Sequence, residues 1–405
     1  MIWIVSWRNV WRNKLRSSVV IIAIALGIFA GVFATAFMKG MTEQRIKSAI
    51  ESEVSHIQIH QAGFTESSDI DLFITNVDSL TSTISKLQKV KNISKRIVLN
   101  SMAASAETAT GIKLIGVEPE IEIRTTNINE KIIEGQYLEG IKRNPIVIGK
   151  KLAEKLNLKL RSKIIITFQD FEGNITGCAF RVAGIFNSGN GIFDETTAFV
   201  RFSDIERLSG LPENSCHELA IKLSENLAAK EIADSLSKRY SNYEIQPWTK
   251  LKPEIGYMTE IMDLYMYIFV GIILFALAFG IVNTMLMVVL ERIKELGMLM
   301  AVGMNRLRVF NMIVLETVFL TLTGGIIGII IGSLTAKYFS IHPINLSLYS
   351  EGLESIGWES FVYTSVNLEM IITVTIMVII AGVLAAIYPA IKALRSNPAE
   401  ALRIE

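Results

Sequence analysis

The sequence predicts an α+β membrane protein with four transmembrane helices and a large extracytoplasmic α/β domain between the first and the second helix. Two observations lead to this prediction. The chain has 405 residues and contains four long segments without a charged side chain. Between the first two of them lie about 220 residues in which strand-like and helix-like patterns follow one another.

The four apolar segments are long enough to cross a hydrocarbon core of about 30 Å, which needs about 20 residues at the helical rise. Buried core helices are the alternative, but four such runs in one chain favour membrane spans. We therefore predict an amphipathic elbow helix over 1–16, spans over 17–39, 264–290, 309–339 and 370–391, an external domain over 40–263, a cytoplasmic helix over 291–308, a short external loop over 340–369 and a cytoplasmic tail over 392–405.

Lysine and arginine are distributed unevenly around these spans. They precede the first span, lie between the second and third, and follow the fourth, whereas 340–369 contains neither. The positive-inside rule then places both termini in the cytoplasm, as in a multi-pass protein of the cytoplasmic membrane. Near the N-terminus, Trp3, Trp7 and Trp11 share one helical face with basic neighbours, a pattern typical of a helix at the membrane surface.

The external region resembles one domain interrupted by another. The flanking parts, 54–118 and 213–250, each read as strand, helix and strand, while the insert over 119–212 is richer in strands. His56 and His60 share a strand face with Gln58, and we expect this face to be polar and exposed to solvent rather than a metal site. Cys178 and Cys216 both fall in this region, so an oxidising compartment leaves a disulfide between them open.

Motifs for catalysis are missing from the sequence. There is no phosphate-binding loop of the G-x-x-x-x-G-K-[ST] type, no H-E-x-x-H and no G-x-S-x-G. We therefore expect a non-catalytic chain without a metal or cofactor of its own. The net charge of +1 also gives no reason to expect a nucleic-acid partner.

The stretch "ERIKELGMLMAVGMNRLRV" lies between the second and third spans and reads as a short amphipathic helix. Acidic residues near its start make anionic lipid a poor target, so a groove on a soluble partner is the better hypothesis. The glycines of the spans recur at four-residue spacing and predict close helix packing, within or between chains. These glycines are Gly27 and Gly31 in the first span, and Gly324, Gly328 and Gly332 in the third.

This stretch closely resembles the coupling-helix signature of mechanotransmitting ABC transporter permeases, the superfamily of lipoprotein-releasing permeases, MacB and FtsX. Three other segments are similar to this family as well: "WRNVWRNKLRS" near the start of the chain, "SHIQIHQAGF" after the first span, and the ending "YPAIKALRSNPAEALR". The resemblance implies that a partner ATPase is contacted through Glu291, Arg292, Glu295, Leu296, Gly297, Met300, Ala301 and Gly303.

The resemblance also implies a porter-like external domain over 54–118 and 213–250 with a Sabre-like insert over 119–212. It is greatest to the lipoprotein-releasing permeases, including the segments "IIEGQYLEG" and "RVAGIFNSGNGIFDETTAFV". Two departures stand out. Arg161-Ser162-Lys163 replaces a GDK-like turn, and the hairpin over 167–180 is shorter than the hook of permeases that dock a lipoprotein carrier.

The function implied is that of a permease subunit for lipoprotein release, coupled to ATP hydrolysis with Mg²⁺ in a dimer of separate ATPase subunits. A second permease copy or a paralogue would complete the complex. The alternatives are export of a small molecule or peptide with a periplasmic adaptor, or regulation of a cell-envelope enzyme without net transport. A stand-alone scaffold is disfavoured by the coupling-helix signature.

Overall fold

A computed structural model describes residues 2–141 and 143–395 and divides the chain into two compact units. The membrane unit comprises Met1–Thr42, Glu260–Ile344 and Val362–Glu405. The strand-rich unit comprises Glu43–Thr259 and Asn345–Phe361. Most of the predicted tail over 392–405, and with it the end of the C-terminal motif, lies outside the described residues.

Helices are distributed along both units. In chain order they are α1 (Ile2–Arg12), α2 (Lys14–Ser48), α3 (Phe64–Ser67), α4 (Val77–Ile84), α5 (Pro119–Thr125), α6 (Lys150–Lys155), α7 (Gly191–Thr196), α8 (Phe202–Ser209), α9 (Ala229–Arg239), α10 (Trp248–Leu251), α11 (Pro253–Glu291), α12 (Ile293–Ala301), α13 (Arg306–Phe339), α14 (Ser350–Ser355) and α15 (Leu368–Arg395). A π-helical turn, Ala49–Val54, extends α2.

The strands follow the predicted alternation closely. They are β1 (Ile57–Gln61), β2 (Val90–Ala104), β3 (Ala109–Val117), β4 (Ile132–Gly135), β5 (Pro145–Gly149), β6 (Lys163–Gln169), β7 (Ile175–Phe186), β8 (Thr197–Arg201), β9 (Glu218–Leu223), β10 (Tyr243–Pro247), β11 (Ile344–Asn345) and β12 (Phe361–Val362).

Within the membrane unit, α2, α11, α13 and α15 each contain a segment long and apolar enough to cross a membrane. The helical conformation is interrupted at Asn13, so α1 is a separate helix rather than an extension of the first span. It packs on α13, where the hydroxyl of Ser6 donates to the carbonyl of Met312 at 3.2 Å. The ring of Trp7 meets that of Phe319 edge to face, with 5.4 Å between centroids.

The glycines of the third span lie against the first span of the same chain. A Cβ added at Gly328 would lie 2.6 Å from the carbonyl oxygen of Ala25, and one at Gly324 would lie 2.8 Å from that of Ile21. At Gly332 the nearest atom would be the side chain of Val32, at 3.1 Å. These glycines therefore let two helix backbones approach within one chain.

The glycines of the first span face α11 instead. A Cβ at Gly27 would meet the side chain of Leu277 at 2.6 Å, whereas one at Gly31 would have an ordinary contact of 3.9 Å with Ile273. Close packing of α2 on α11 therefore requires glycine at position 27, whereas position 31 has space for a larger side chain. The four-residue spacing predicted a shared helix face, but the demand for glycine differs between the two positions.

The strand-rich unit contains a ten-stranded sheet among its described residues, with the order β10-β1-β9-β2-β3-β8-β5-β7-β4 and with β6 paired to β2 and β7. Strand β2 is 15 residues long, so it pairs with β9 near its start and with β6 near its end. Strand β3 continues the sheet through parallel pairing with β8. The flanking parts and the insert therefore share one sheet.

The predicted insert, 119–212, is joined to the flanking parts within one unit. Its strands β6 and β8 pair directly with β2 and β3 of the flanking part. One buried cluster also combines Ile57 and Ile221 with Ile148 and Ile166 of the insert. The physical reason is that hydrogen bonding across the sheet edge and a shared apolar face join the two parts.

The segment predicted as a short external loop, 340–369, is divided between the two units. Its middle part, Asn345–Phe361, belongs to the strand-rich unit. There, the ammonium group of Lys131 lies 2.8 Å from a carboxylate oxygen of Glu359. The side-chain amide of Gln44 donates to the carbonyl of Phe361 at 3.0 Å.

The prediction of a solvent-exposed polar face on β1 is wrong. His56, Gln58 and His60 are all buried. His56 Nε2 lies 2.7 Å from the amide oxygen of Asn226, and His60 Nε2 lies 3.3 Å from a carboxylate oxygen of Glu218. Alternation showed that these side chains share one face. Segments distant in sequence cover that face and bury it inside the strand-rich unit.

The disulfide left open by the sequence is not formed, since Cys178 and Cys216 are both free thiols. Cys178 lies on β7 and receives a hydrogen bond from the side-chain amide of Asn144 at 3.0 Å. Cys216 is fully buried and forms a backbone bridge with Ile74. Burial raises the pKa of the Cys216 thiol to about 12, which keeps it protonated and unreactive.

Candidate functional site

Helix α12 is a short helix with a defined end, in place of the single helix expected over 291–308. The amide of Met304 donates to the carbonyl of Leu299 at 2.9 Å, and that of Gly303 donates to Met300 at 3.1 Å. This pair of hydrogen bonds is a Schellman motif, and Gly303 supplies the positive φ of 103° that it needs. The Asn305 side chain then caps the start of α13.

The start of α12 is held by an ion-pair network. Arg12, on α1, donates to both carboxylate oxygens of Glu295 at 2.7 and 3.0 Å. Arg292 donates to Glu295 at 3.1 Å and to the two oxygens of Glu316 at 3.2 and 3.1 Å. Asn9 donates to Glu316 at 2.6 Å. The network thus connects α1, α12 and α13 through side chains.

A second ion pair lies beside this network, between Arg16 on α2 and Glu291 at the end of α11. The two sets of charges line a cavity of about 330 Å³. Burial alone would lower the pKa of Arg292, but the carboxylates of Glu316 and Glu295 raise it above its ordinary value. The hydrogen bonds from Arg12 and Arg292 lower the pKa of Glu295. Arg292 and Glu295 therefore both carry full charge at neutral pH.

The two faces of α12 have different environments. Leu296 and Gly297 are buried against the membrane unit. Met298, Leu299 and Val302 are exposed, and Val302 is 86% accessible. Three exposed apolar side chains at the end of a fixed helix form a surface that another protein can cover. This group, Met298, Leu299 and Val302, is called the apolar tip.

The predicted coupling residues fall into three groups in the structure. Glu291, Arg292 and Glu295 form ion pairs within the chain. Leu296 and Gly297 are buried in the packing of α12 against the membrane unit, so a partner cannot reach them. Met300 is half-buried. Ala301 and Gly303 are exposed. The expected set therefore combines residues that fix the helix with residues that a partner can reach.

Sequence reasoning missed the apolar tip and the residues that anchor α12 from outside it. Leu299 and Val302 are three residues apart, a helical spacing that signals a shared face. No local signal shows that Asn9, Arg12 and Arg16 meet the acidic residues near α12. Arg12 and Glu295, for example, are 283 positions apart in the chain. Only the packing of α1 on α13 brings them together.

Comparison with known proteins adds independent information. Residues 17–239 match the family described as "MacB-like periplasmic core domain", and residues 267–398 match "FtsX-like permease C-terminal". An ABC transporter permease of Methanocaldococcus jannaschii is 27% identical over 283 residues, covering 68% of this chain and 66% of the relative.

The lipoprotein-releasing system transmembrane protein LolC of Xylella fastidiosa is 23% identical over 301 residues, which cover 72% of each chain. Among solved structures, the periplasmic region of MacB from Actinobacillus actinomycetemcomitans aligns with a TM-score of 0.35 at 15% identity. That alignment covers 52% of this chain and 95% of the MacB fragment.

Proposed function

The chain belongs to the family with the MacB-like periplasmic core domain and is an ABC transporter permease; from this premise we propose that it releases lipoproteins from the membrane by using ATP hydrolysis in a separate subunit. Permeases of this type work with an ATPase subunit. In the proposal, this chain is the non-catalytic subunit. Its strand-rich unit lies outside the cytoplasmic membrane and changes conformation there when ATP is hydrolysed inside.

The apolar tip is the observation that supports the coupling step. A helix can transmit a force only if it is held firmly on one side and contacted on the other. Buried Leu296 and the ion pairs of Glu295 hold α12 to the membrane unit. The exposed side chains of Met298, Leu299 and Val302 are free to enter a groove on the ATPase.

Chain connectivity supports a mechanical path. Helices α2 and α11 each continue without interruption from residues of the membrane unit into residues of the strand-rich unit. A displacement of the cytoplasmic end of α11 by the ATPase therefore acts on a helix whose first residues belong to the strand-rich unit. Two ATPase subunits need two permease halves, so a second copy or a paralogue completes the proposed complex.

Lipoprotein release is proposed over soluble export because of the similarity to LolC and the character of α11. The 18-residue apolar window of this helix is the least covered of the four, with 22% of its residues buried within the chain. Phe275, Phe279 and Ile272 project from it and are exposed. Such a surface can accommodate acyl chains as they leave the bilayer.

The coupling step is tested by purifying the protein from its native membrane and identifying bound proteins by mass spectrometry. We expect an ATPase to co-purify with the wild type and to be lost with Val302→Asp and with Glu295→Lys. Leu348→Asp is the control, since Leu348 is 88% exposed but lies in the strand-rich unit. Retention of the ATPase by Val302→Asp contradicts docking at the apolar tip.

Substrate class is tested with a photocrosslinking amino acid at Phe275, which is 67% exposed, and at Ile330 on α13, which is 52% exposed. We expect labelled lipoproteins to crosslink at Phe275 and much less at Ile330. Equal crosslinking at both positions indicates contact with bulk lipid only. Crosslinks to a soluble peptide in place of lipoproteins favour export with an adaptor.

A further inference from the structure

The end of α2 has an unusual backbone conformation. Its last turn, Ala49–Val54, is π-helical, and the amide of Ser55 donates to the carbonyl of Ile50 at 2.9 Å. Ser55 itself has a positive φ of 63°, which is uncommon for a residue other than glycine. Its hydroxyl donates to the carbonyl of Ile221 on β9 at 2.9 Å and so attaches this junction to the sheet. Both π-helical turns and strained residues of this kind are enriched at functional sites.

Glu53 lies in the π-helical turn, and only 1% of its side chain is exposed. Arg45, which lies eight residues earlier on α2, donates to one of its carboxylate oxygens at 2.8 Å. The ammonium group of Lys252, the residue directly before α11, lies 3.2 Å from the other oxygen. One buried carboxylate therefore joins the end of α2 to the start of α11.

A third segment, the loop before α7, reaches the same carboxylate. The side-chain amide of Asn190 donates to Glu53 at 2.9 Å, while its amide oxygen caps the N-terminus of α7. In the same loop, the carbonyl of Ser188 accepts from the hydroxyl of Ser48 on α2 at 3.3 Å. The loop is therefore attached to the end of α2 at two points.

The ion pairs of Glu53 are better suited to positioning than to stability. Removing charges from water costs much of what their attraction contributes, so apolar residues of similar volume often stabilise a protein equally well. A carboxylate shared by three segments, however, fixes their arrangement. Loss of its charge would leave the guanidinium of Arg45, which is 8% exposed, buried without this counterion.

We propose that Glu53 is a positioning residue of the coupling step, through which a displacement of α11 reaches α2 and the loop before α7. The inference rests on the proposed function, in which the ATPase displaces α11. Arg45, Glu53, Asn190 and Lys252 all belong to the strand-rich unit. Without the charge of Glu53, α11 can move without displacing the other two segments.

The test is hydrogen–deuterium exchange of the complex purified with its ATPase and placed in lipid nanodiscs. Amide exchange reports local opening, and it is compared with and without a non-hydrolysable ATP analogue. In the wild type we expect the analogue to change exchange both in 291–303 and in 187–196, the loop with α7. A change in neither segment overturns the proposed function and the inference with it. A change in 291–303 alone overturns the inference.

Glu53→Gln keeps the shape of the side chain and removes its charge. We expect this variant to retain the ATPase and the change in 291–303, and to lose most of the change in 187–196. Glu51→Gln, which alters a half-buried carboxylate of the same turn, is the matched control and should behave as the wild type does. A purely structural role would raise exchange equally in both nucleotide states and leave their difference intact. A wild-type difference in Glu53→Gln therefore overturns the inference.

Lys252 gives a second test if Glu53→Gln does not fold, because 29% of its side chain is exposed. Lys252→Gln is expected to reduce the nucleotide-dependent change in 187–196 severalfold, whereas Lys252→Arg keeps the charge and should preserve the change. Lys250→Gln, at an exposed lysine two positions earlier, is the control. Equal behaviour of Lys252→Gln and Lys250→Gln contradicts a role for this ion pair in coupling.

Discussion

Arg12 and Glu295 form a two-point ion pair, with the same guanidinium nitrogen 2.7 and 3.0 Å from the two carboxylate oxygens. The pair connects the first helix of the chain to the short helix between the second and third spans. Arg292 donates to the same carboxylate, so Glu295 is shared by two arginines. The orientation of α12 therefore depends on α1, a helix remote from it in sequence.

Removal of this ion pair should affect coupling more than stability. Both side chains are about half exposed, and exposed pairs contribute about 1 kcal/mol or less. We expect Arg12→Ala to lower ATP hydrolysis by the reconstituted complex severalfold with little change in melting temperature. Arg8→Ala, an exposed arginine on the same helix, is the control. Equal activity of the two variants would show that the Arg12 pair has no role in coupling.

Gly328 should tolerate no larger residue. A Cβ there would lie 2.6 Å from a backbone oxygen of Ala25, so Gly328→Ala forces α2 and α13 apart. Such overpacking typically costs about 1–3 kcal/mol. Thermal unfolding of the detergent-solubilised protein measures the loss.

Gly280→Ala on α11 is the control for Gly328→Ala, because nothing lies within 4 Å of a Cβ at that position. This substitution should be neutral or slightly stabilising, since alanine favours a helix more than glycine does. A Gly328→Ala protein as stable as Gly280→Ala would contradict the close approach of α2 and α13.

Gly303 should be sensitive to backbone conformation rather than to space. Its φ is 103°, and nothing lies within 4 Å of an added Cβ. We expect destabilisation to increase from Gly303→Asn to Gly303→Val, because asparagine tolerates positive φ better than a β-branched residue does. The difference should be about 1 kcal/mol in thermal unfolding. Gly352→Val, at a position with open space and no positive φ, controls for added bulk.

Protonation of Asp194 should make the strand-rich unit more stable at mildly acidic pH than at neutral pH. This side chain is buried and accepts hydrogen bonds from the backbone and the hydroxyl of Ser188. Burial raises its pKa to about 7, from an ordinary value near 4. The folded state therefore binds a proton that the unfolded state releases between these values. The associated stability is present below about pH 4 and is lost as pH rises through about 7.

The size of this effect is on the order of 4 kcal/mol. Tryptophan fluorescence during thermal unfolding checks it, since Trp248 is buried in the same unit. Asp194→Asn should lose the decline in stability between pH 4 and 7. Glu195→Gln, which changes a half-exposed neighbouring carboxylate, should keep it. The same pH dependence in wild type and Asp194→Asn would assign the titration to another group.

Patterns along the chain predicted those features that depend on residues close together in sequence. Uninterrupted apolar runs predicted the helices long enough to cross a membrane, because the energetics of crossing a bilayer depend on local composition. Alternation predicted most strands. Helical periodicity also predicted a short amphipathic helix where α12 lies.

Tertiary structure determines which residues each face of a helix or strand contacts. The polar face of β1 is buried because Glu218 and Arg96, far away in the chain, lie beside it on adjoining strands. In the same way, the glycines of α13 meet α2 within one chain, and Arg12 reaches Glu295. The sequence by itself determined most of the elements and which of their side chains share a face. Their partners depend on long-range packing, for which no local pattern carries information.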